Sequence, residues 1–228
     1  MKRSEINSIM RRAHSFLREY QFHLPPFAYW SPEDWRERDT SEIAAQQLGW
    51  DITDFGSGDF SKVGLLIVAL RNGTYEELSK PLGKIYGEKL LIAEPGQVTP
   101  THFHHQKMED IINRGGGNLV IQLWNSTADD QLADSPVTVS CDGIRRTVPA
   151  GGTLKLAPGE SVCLPQRLYH SFWGDPDAGT VLVGEVNRVN DDRIDNHFFE
   201  KVGRFPEIEE DEAPLHLLTK DYATWLQG

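Results

Sequence analysis

The spacing of apolar residues changes near residue 60. Before it, Ile6, Ile9, Met10, Ala13, Phe16, Leu17 and Tyr20 recur every three or four positions with charges between them. That is the stripe of an amphipathic helix, and such a stripe more often covers a core than a membrane. Leu24-Pro25-Pro26-Phe27 breaks the pattern. Ser31-Pro32-Glu33-Asp34 then supplies an N-cap, a first-turn proline and first-turn acids. Ser41-Glu42 opens another short helix that ends near Gly49, so the first sixty residues read as helical. Beyond them the apolar runs shorten to strand length at residues 63–70, 84–93, 118–124, 137–141, 146–148, 152–156, 161–164 and 180–187. Glycine and proline punctuate them, and Asn72-Gly73 reads as a hairpin turn. Many short strands between such turns imply a sandwich or barrel. Helices first and strands later give an α+β chain around an antiparallel β-barrel.

Composition narrows the partners. A length of 228 residues suits one structural unit with extensions. The expected division is a helical extension at residues 1–60, a barrel at 61–190 and a tail at 191–228 that covers the barrel mouth. A net charge of -11 argues against general binding to nucleic acid or anionic membrane. No apolar run is long enough for a transmembrane helix. Arg11, Arg12, His14, Arg18 and Glu19 interrupt the first helix, so it lacks the apolar core of a signal peptide. A cytoplasmic location follows, with Cys141 and Cys163 as free thiols. The acidic run at residues 207–212 reads as a solvated loop.

The chemistry concentrates in two segments. His102 and His104 sit two residues apart in an extended stretch and therefore share a face, while Phe103 points away. A hairpin can bring Glu109 beside them. His105 faces the other way and reads as a turn residue. A third imidazole, His170, follows the turn at Pro165. Three neutral imidazoles and a carboxylate suit a divalent first-row metal: Mn, Fe, Co, Ni or Zn. A structural zinc site would be closed and richer in cysteine, and neither cysteine belongs to this cluster. Open coordination positions call for a chelating ligand such as a diol, a hydroxy-carbonyl compound or an acid.

These segments resemble the two motifs of the cupin family. The first runs Gly96, five residues, His102-x-His104, four residues, Glu109, six residues, Gly116. The second runs Gly159, five residues, Pro165, four residues, His170. The pattern departs at Arg167, where the family usually has glycine, and at Gly174, where it usually has asparagine. Over its whole length the chain resembles one cupin branch, the D-lyxose isomerase family. Pro25-Pro26-Phe27-Ala28, the block from Thr101 to Glu109, and the stretch from Gly184-Glu185-Val186-Asn187 to Asp195-Asn196 carry that resemblance. It implies a mainly β protein with N-terminal helices, folded as a cupin jelly-roll barrel. It also implies a metal site of His102, His104, Glu109 and His170. Mn(II) is the usual metal of that family, with Co(II), Fe(II) or Zn(II) as other candidates. The implied reaction is aldose–ketose isomerisation of D-lyxose to D-xylulose through a metal-stabilised enediol, with D-mannose to D-fructose beside it.

The acid–base groups are open to more than one reading. Glu185 ends an apolar strand, either in solvent or pointing inward as the base that moves a proton beside a polarised carbonyl. Lys89 and Lys107 are surface residues or groups that stabilise charge and shuttle protons at the sugar's first two oxygens. Arg193 and Asp195 are candidates for hydrogen bonds to the distal hydroxyls. A homodimer is expected, with the strand at 63–70 as one available interface. The same metal set would also serve a dioxygenase or decarboxylase, or a sugar-binding cupin without turnover.

Overall fold

Two antiparallel sheets face each other, and a long helix packs on the outside of the larger one. The computed structural model describes residues 1–203 and 207–226. Helix α1 (Arg3–Glu19) is followed by the short helices α2 (Pro32–Arg36) and α3 (Ser41–Ala45). Thirteen strands follow: β1 (Gly49–Thr53), β2 (Leu65–Arg71), β3 (Tyr86–Ala93), β4 (Thr99–His104), β5 (Glu109–Gly116), β6 (Leu119–Asn125), β7 (Val137–Cys141), β8 (Ile144–Val148), β9 (Thr153–Leu156), β10 (Ser161–Leu164), β11 (Leu168–Gly174), β12 (Val181–Arg188) and β13 (Asn196–Phe198). Helix α4 (Asp192–Asp195) lies between the last two strands, and α5 (Tyr222–Trp225) closes the described chain. The large sheet runs β1-β2-β3-β12-β5-β10-β7-β8, and the small sheet runs β13-β4-β11-β6-β9. No hydrogen-bonded ladder closes one sheet onto the other among the described residues, so the jelly roll is a two-sheet sandwich.

The apolar run of β2 is continuous because both of its faces are covered. Leu65 and Ile67 point between the sheets, into a core with Leu91, Ile111, Ile121, Val162 and Val183. Leu66, Val68 and Leu70 point outward onto Ile6, Ile9, Met10, Ala13 and Leu17 of α1. The stripe predicted for α1 is therefore the lid of a second core. Strand β2 is also paired on both edges, with β1 and β3. It has no free edge or bare face to offer a second subunit, which removes it as the expected dimer interface.

Two further expectations change. The first sixty residues are not wholly helical, because β1 is a strand of the large sheet. Its buried Trp50 and Ile52 face the α1 core, and its pairing with β2 is a long-range contact that local periodicity does not encode. The acidic run is not simply solvated. Arg3 donates to both oxygens of Glu210 at 2.8 and 2.7 Å, Ser4 donates to Asp211, and Arg11 pairs with Glu212. This return of the tail clasps α1 from outside. Residues 227–228, at the end of the expected tail segment, lie outside the described residues.

The departures from the cupin pattern have local causes. Arg167 has a φ of 60°, in the left-handed region where glycine is favoured. Its guanidinium holds Asp130 at 2.5 Å and the Thr127 carbonyl at 3.1 Å, and lies 5.0 Å from the Phe103 ring. These contacts offset a backbone cost of about 1–2 kcal/mol. A Cβ at Gly174 would meet the carbonyl oxygens of Glu94 and Ala93 at 2.8 and 2.9 Å, so asparagine does not fit there.

Candidate active site

Strands β4 and β11 deliver the three imidazoles. His102 and His170 are direct cross-strand partners, and His104 lies two residues on along the same face of β4. Their ligand atoms all lie within 4.8 Å of one another. The Nδ1 of His102 lies 2.7 Å from the Pro100 carbonyl, and that of His170 lies 3.0 Å from the Leu168 carbonyl. A carbonyl only accepts, so each Nδ1 carries the proton and each Nε2 is left as a lone-pair donor. Strand β5 opens with Glu109, whose Oε1 sits 3.3 Å from Nε2 of both His104 and His170.

The charge states suit a cation. Burial pushes the His102 imidazole well below its ordinary pKa, and His170 and His104 push the same way. Burial takes His170 down to about 4. Burial alone would raise Glu109, but the Lys107 ammonium and the neighbouring His104 hold it well below the usual carboxylate range. Both Glu109 oxygens and the His104 Nδ1 are buried without a well-formed hydrogen bond, although Lys107 Nζ lies 2.5 Å from Oε2. A buried acceptor set left in this condition is what a divalent cation completes. The residues present therefore fit a metal.

A row of alternating charge leads away from the histidines. Lys107 donates to Glu185 Oε1 at 2.9 Å, and Lys89 reaches the same oxygen at 3.4 Å. Lys89 also donates to both oxygens of Asp192, at 3.1 and 2.9 Å. Burial works against the Lys107 charge, but Glu109 and Glu185 outweigh it and hold the lysine above its ordinary value. The sheet register explains the row. Glu185 on β12 is opposite Lys89 on β3, and Asn187 is opposite Glu109 on β5. Glu185 therefore points inward with the metal candidates, which resolves the choice the sequence left open. The groups line a cavity of about 420 Å³, counting its mouth, whose other wall is apolar with Phe55, Phe172 and Phe198.

Arg193 and Asp195 do not line this cavity. The Arg193 guanidinium turns back on Asp191 at the surface. Asp195 is buried, but its carboxylate accepts the backbone N–H of Gln106 and Lys107 at 2.8 and 3.0 Å. It anchors the turn between β4 and β5 rather than facing a ligand. The acid that enters the cavity is Asp192, on the first turn of α4. The sequence singled out this polar stretch but not that position, because which carboxylate turns inward depends on how α4 seats. Phe198 was also missed. Its strand β13 pairs with β4 opposite His102, and three residues are too short for a periodic signal.

Comparison with known proteins agrees with this geometry. The L-ribose isomerase of Cellulomonas parahominis superposes with a TM-score of 0.60 at 17% identity, covering 92% of this chain and 98% of that one. The L-ribose isomerase of Acinetobacter sp. DL28 gives 0.61 at 15% identity with the same coverage. At these identities they establish the cupin-type fold alone. Sequence relatives are nearer. The D-lyxose/D-mannose isomerase of Escherichia coli O157:H7 is 48% identical over 225 residues, spanning 97% of this chain and 98% of that protein. The D-lyxose/D-mannose isomerase of Serratia proteamaculans is 48% identical over 229 residues, spanning 99% and 100%. The family model for D-lyxose isomerase matches residues 1–222, which include all four metal candidates and the whole charged row, so the chain belongs to the D-lyxose isomerase family.

Proposed function

We propose that this protein is a metal-dependent aldose–ketose isomerase that interconverts D-lyxose and D-xylulose, and also D-mannose and D-fructose. The observation that carries the reading is the buried Lys107–Glu185–Lys89 row beside the three-histidine cluster. Family membership and the two relatives point to the sugars. His102, His104, Glu109 and His170 would hold the cation, with Mn(II) proposed and Co(II), Fe(II) or Zn(II) served by the same donors. When bound, that cation supplies Lewis-acid polarisation of the sugar carbonyl.

The chain's own residues move the protons. The hydrogen on C2 of an open-chain aldose is acidified by the neighbouring carbonyl. Glu185 removes it and returns a proton to C1, passing through an enediol. Both lysine contacts fall on Glu185 Oε1, which leaves Oε2 for the substrate. Lys107 and Lys89 orient the carboxylate and offset charge on O1 and O2 as the proton changes oxygen. Asp192, drawn toward the cavity by Lys89, takes the place proposed for Arg193 and Asp195 at the distal hydroxyls. The Phe55, Phe172 and Phe198 wall excludes water from the enediol. We further propose that the protein works in the cytoplasm as a homodimer. No described helix is long and apolar enough to cross a membrane.

The test uses metal-stripped protein reloaded separately with Mn, Co, Fe or Zn. D-Lyxose is supplied under anaerobic conditions in deuterated water. The expected product is D-xylulose carrying solvent deuterium at C1. Isomerisation without label would favour a hydride shift. Oxygen uptake with no isomerisation would favour the oxygenase reading, and no turnover with any metal would remove the enzyme reading.

A further inference from the structure

A second polar chamber adjoins the catalytic cavity on the same inner face of the large sheet. It spans about 460 Å³, counting the open solvent at its mouth, and its polar lining includes Gln47, Asp51, Asn72, Asn190 and Thr219. It shares three residues with the catalytic cavity: Ile67, Lys89 and Asp192. The Lys89–Asp192 pair is therefore the partition between the two spaces. Side-chain alternation makes the continuity. Along β2, Leu65 and Ile67 line the cavity, while Ile67 and Ala69 line the chamber. Room exists because Ala69 on β2 is small; its cross-strand partner Gly49 on β1 adds none, since the Tyr222 hydroxyl fills the place of a side chain there.

The chamber lies in line with the charged row. Glu185, Lys89 and Ala69 are successive cross-strand partners on β12, β3 and β2. One strand spacing, roughly 5 Å, separates each from the next. Beyond Lys89, Asp192 accepts from Asn190 at 2.6 Å, so polar contacts continue into the chamber. A sugar whose C2 sits at Glu185 and whose chain follows this row brings its last carbons to the Lys89–Asp192 pair.

On the isomerase reading above, we propose that this chamber is the subsite for the terminal carbon and hydroxyl of a six-carbon aldose, which a five-carbon aldose does not enter. Pentose and hexose share the reacting end at Glu185 and differ only past Asp192. The small side chain at Ala69 is the specificity determinant for chain length.

The experiment compares kcat/KM for D-lyxose and D-mannose in the Mn-loaded protein and its variants. Ala69→Leu fills the chamber from β2, and Thr219→Leu fills it from the segment that runs beside β1. The D-lyxose value within each variant serves as the internal reference. Each filling variant is expected to lower the mannose-to-lyxose ratio of kcat/KM at least about tenfold, as loss of a fitted pocket does. Thermal melting accompanies each variant, and Thr219→Leu carries the test if Ala69→Leu does not fold. A ratio that stays constant in a folded filling variant would overturn the subsite. So would native protein that turns over D-lyxose but not D-mannose. Native protein inert toward both sugars would instead overturn the isomerase reading, and the subsite with it.

Discussion

On strand β3, Leu90 and Ile92 point outward into the apolar cover made by α1, while Lys89 points inward into a row of charges. The outer face is thus apolar, while the inner face joins an apolar core to a buried row of charges. The outer face joins Ile9, Met10 and Leu17 to Leu66 and Val68, and burial of such side chains stabilises by about 1.5–3 kcal/mol each. The inner face buries Lys107, Glu109 and Glu185 almost completely. Removing such charges from water costs several kcal/mol per ion, which good pairing only partly offsets. Apolar side chains in place of the row would fold as well. The charged row is therefore expected to serve chemistry, with the α1 face supplying the stability that the row gives up.

The sharpest way to break this comparison is to change one inner group and one outer group and read activity and stability on both. Glu185→Gln keeps the shape and the Lys107 contact but removes the proposed base. The expected loss in kcat is roughly 10²–10⁴-fold, with Mn content retained and the melting temperature little changed. A native rate would break the assignment of the base. On the outer face, Arg3→Ala should do the reverse. Arg3 is buried and donates to Asp221 at 2.9 and 3.0 Å, so its removal leaves a buried carboxylate without its cation, with the Leu218 N–H as its remaining donor. The expected cost is about 3–5 kcal/mol in urea unfolding, with the kcat of the remaining folded protein unchanged. A smaller case is Met10→Ala, expected to cost about 2–5 kcal/mol through the cavity it leaves under α1. If either outer variant lowered kcat in proportion to stability, the two faces would be coupled rather than separate.

The outer face was readable in the sequence because its signal is local. The α1 stripe and the doubly apolar runs of β2 and β3 each announce what they bury. The capping box at Ser31 and Asp34 was equally local. The four metal candidates were readable for a different reason: period-two spacing places His102 and His104 on one face, and the motif places Glu109 and His170. The partners of Glu185 were not encoded that way. Lys107 meets it across 78 positions of sequence, and the order of strands β5, β12 and β3 decides the contact. Asp192 replaced Arg193 and Asp195 at the cavity because the seating of α4, not residue type, selects the acid that turns inward. Strand β1 was missed because a five-residue strand next to helices shows itself only through its partner.

Acid should reach both faces, and this sharpens the comparison. On the inner face, burial keeps His102 and His170 neutral in the folded, metal-free protein, with His170 brought down to about 4. On the outer face, burial brings His14 down to about 4, with the charges of His216 and Arg18 adding to it. Its ring stacks on Trp50 and His216 at 5.4 and 5.0 Å. In the unfolded chain each imidazole titrates near its ordinary value of about 6.5. Between about 6.5 and 4 the unfolded chain therefore takes up protons that the folded chain refuses. Stability is full above pH 6.5 and falls as pH drops through that window. His14→Phe keeps an aromatic ring in the stack and removes one titrating group. Urea midpoints at pH 7.5, 6 and 5 should show a shallower acid loss in this variant, with the Mn-supported isomerase rate at pH 7.5 unchanged. An unchanged slope would mean that the inner histidines and His216, which burial also lowers, carry the acid sensitivity without help from a neutral His14.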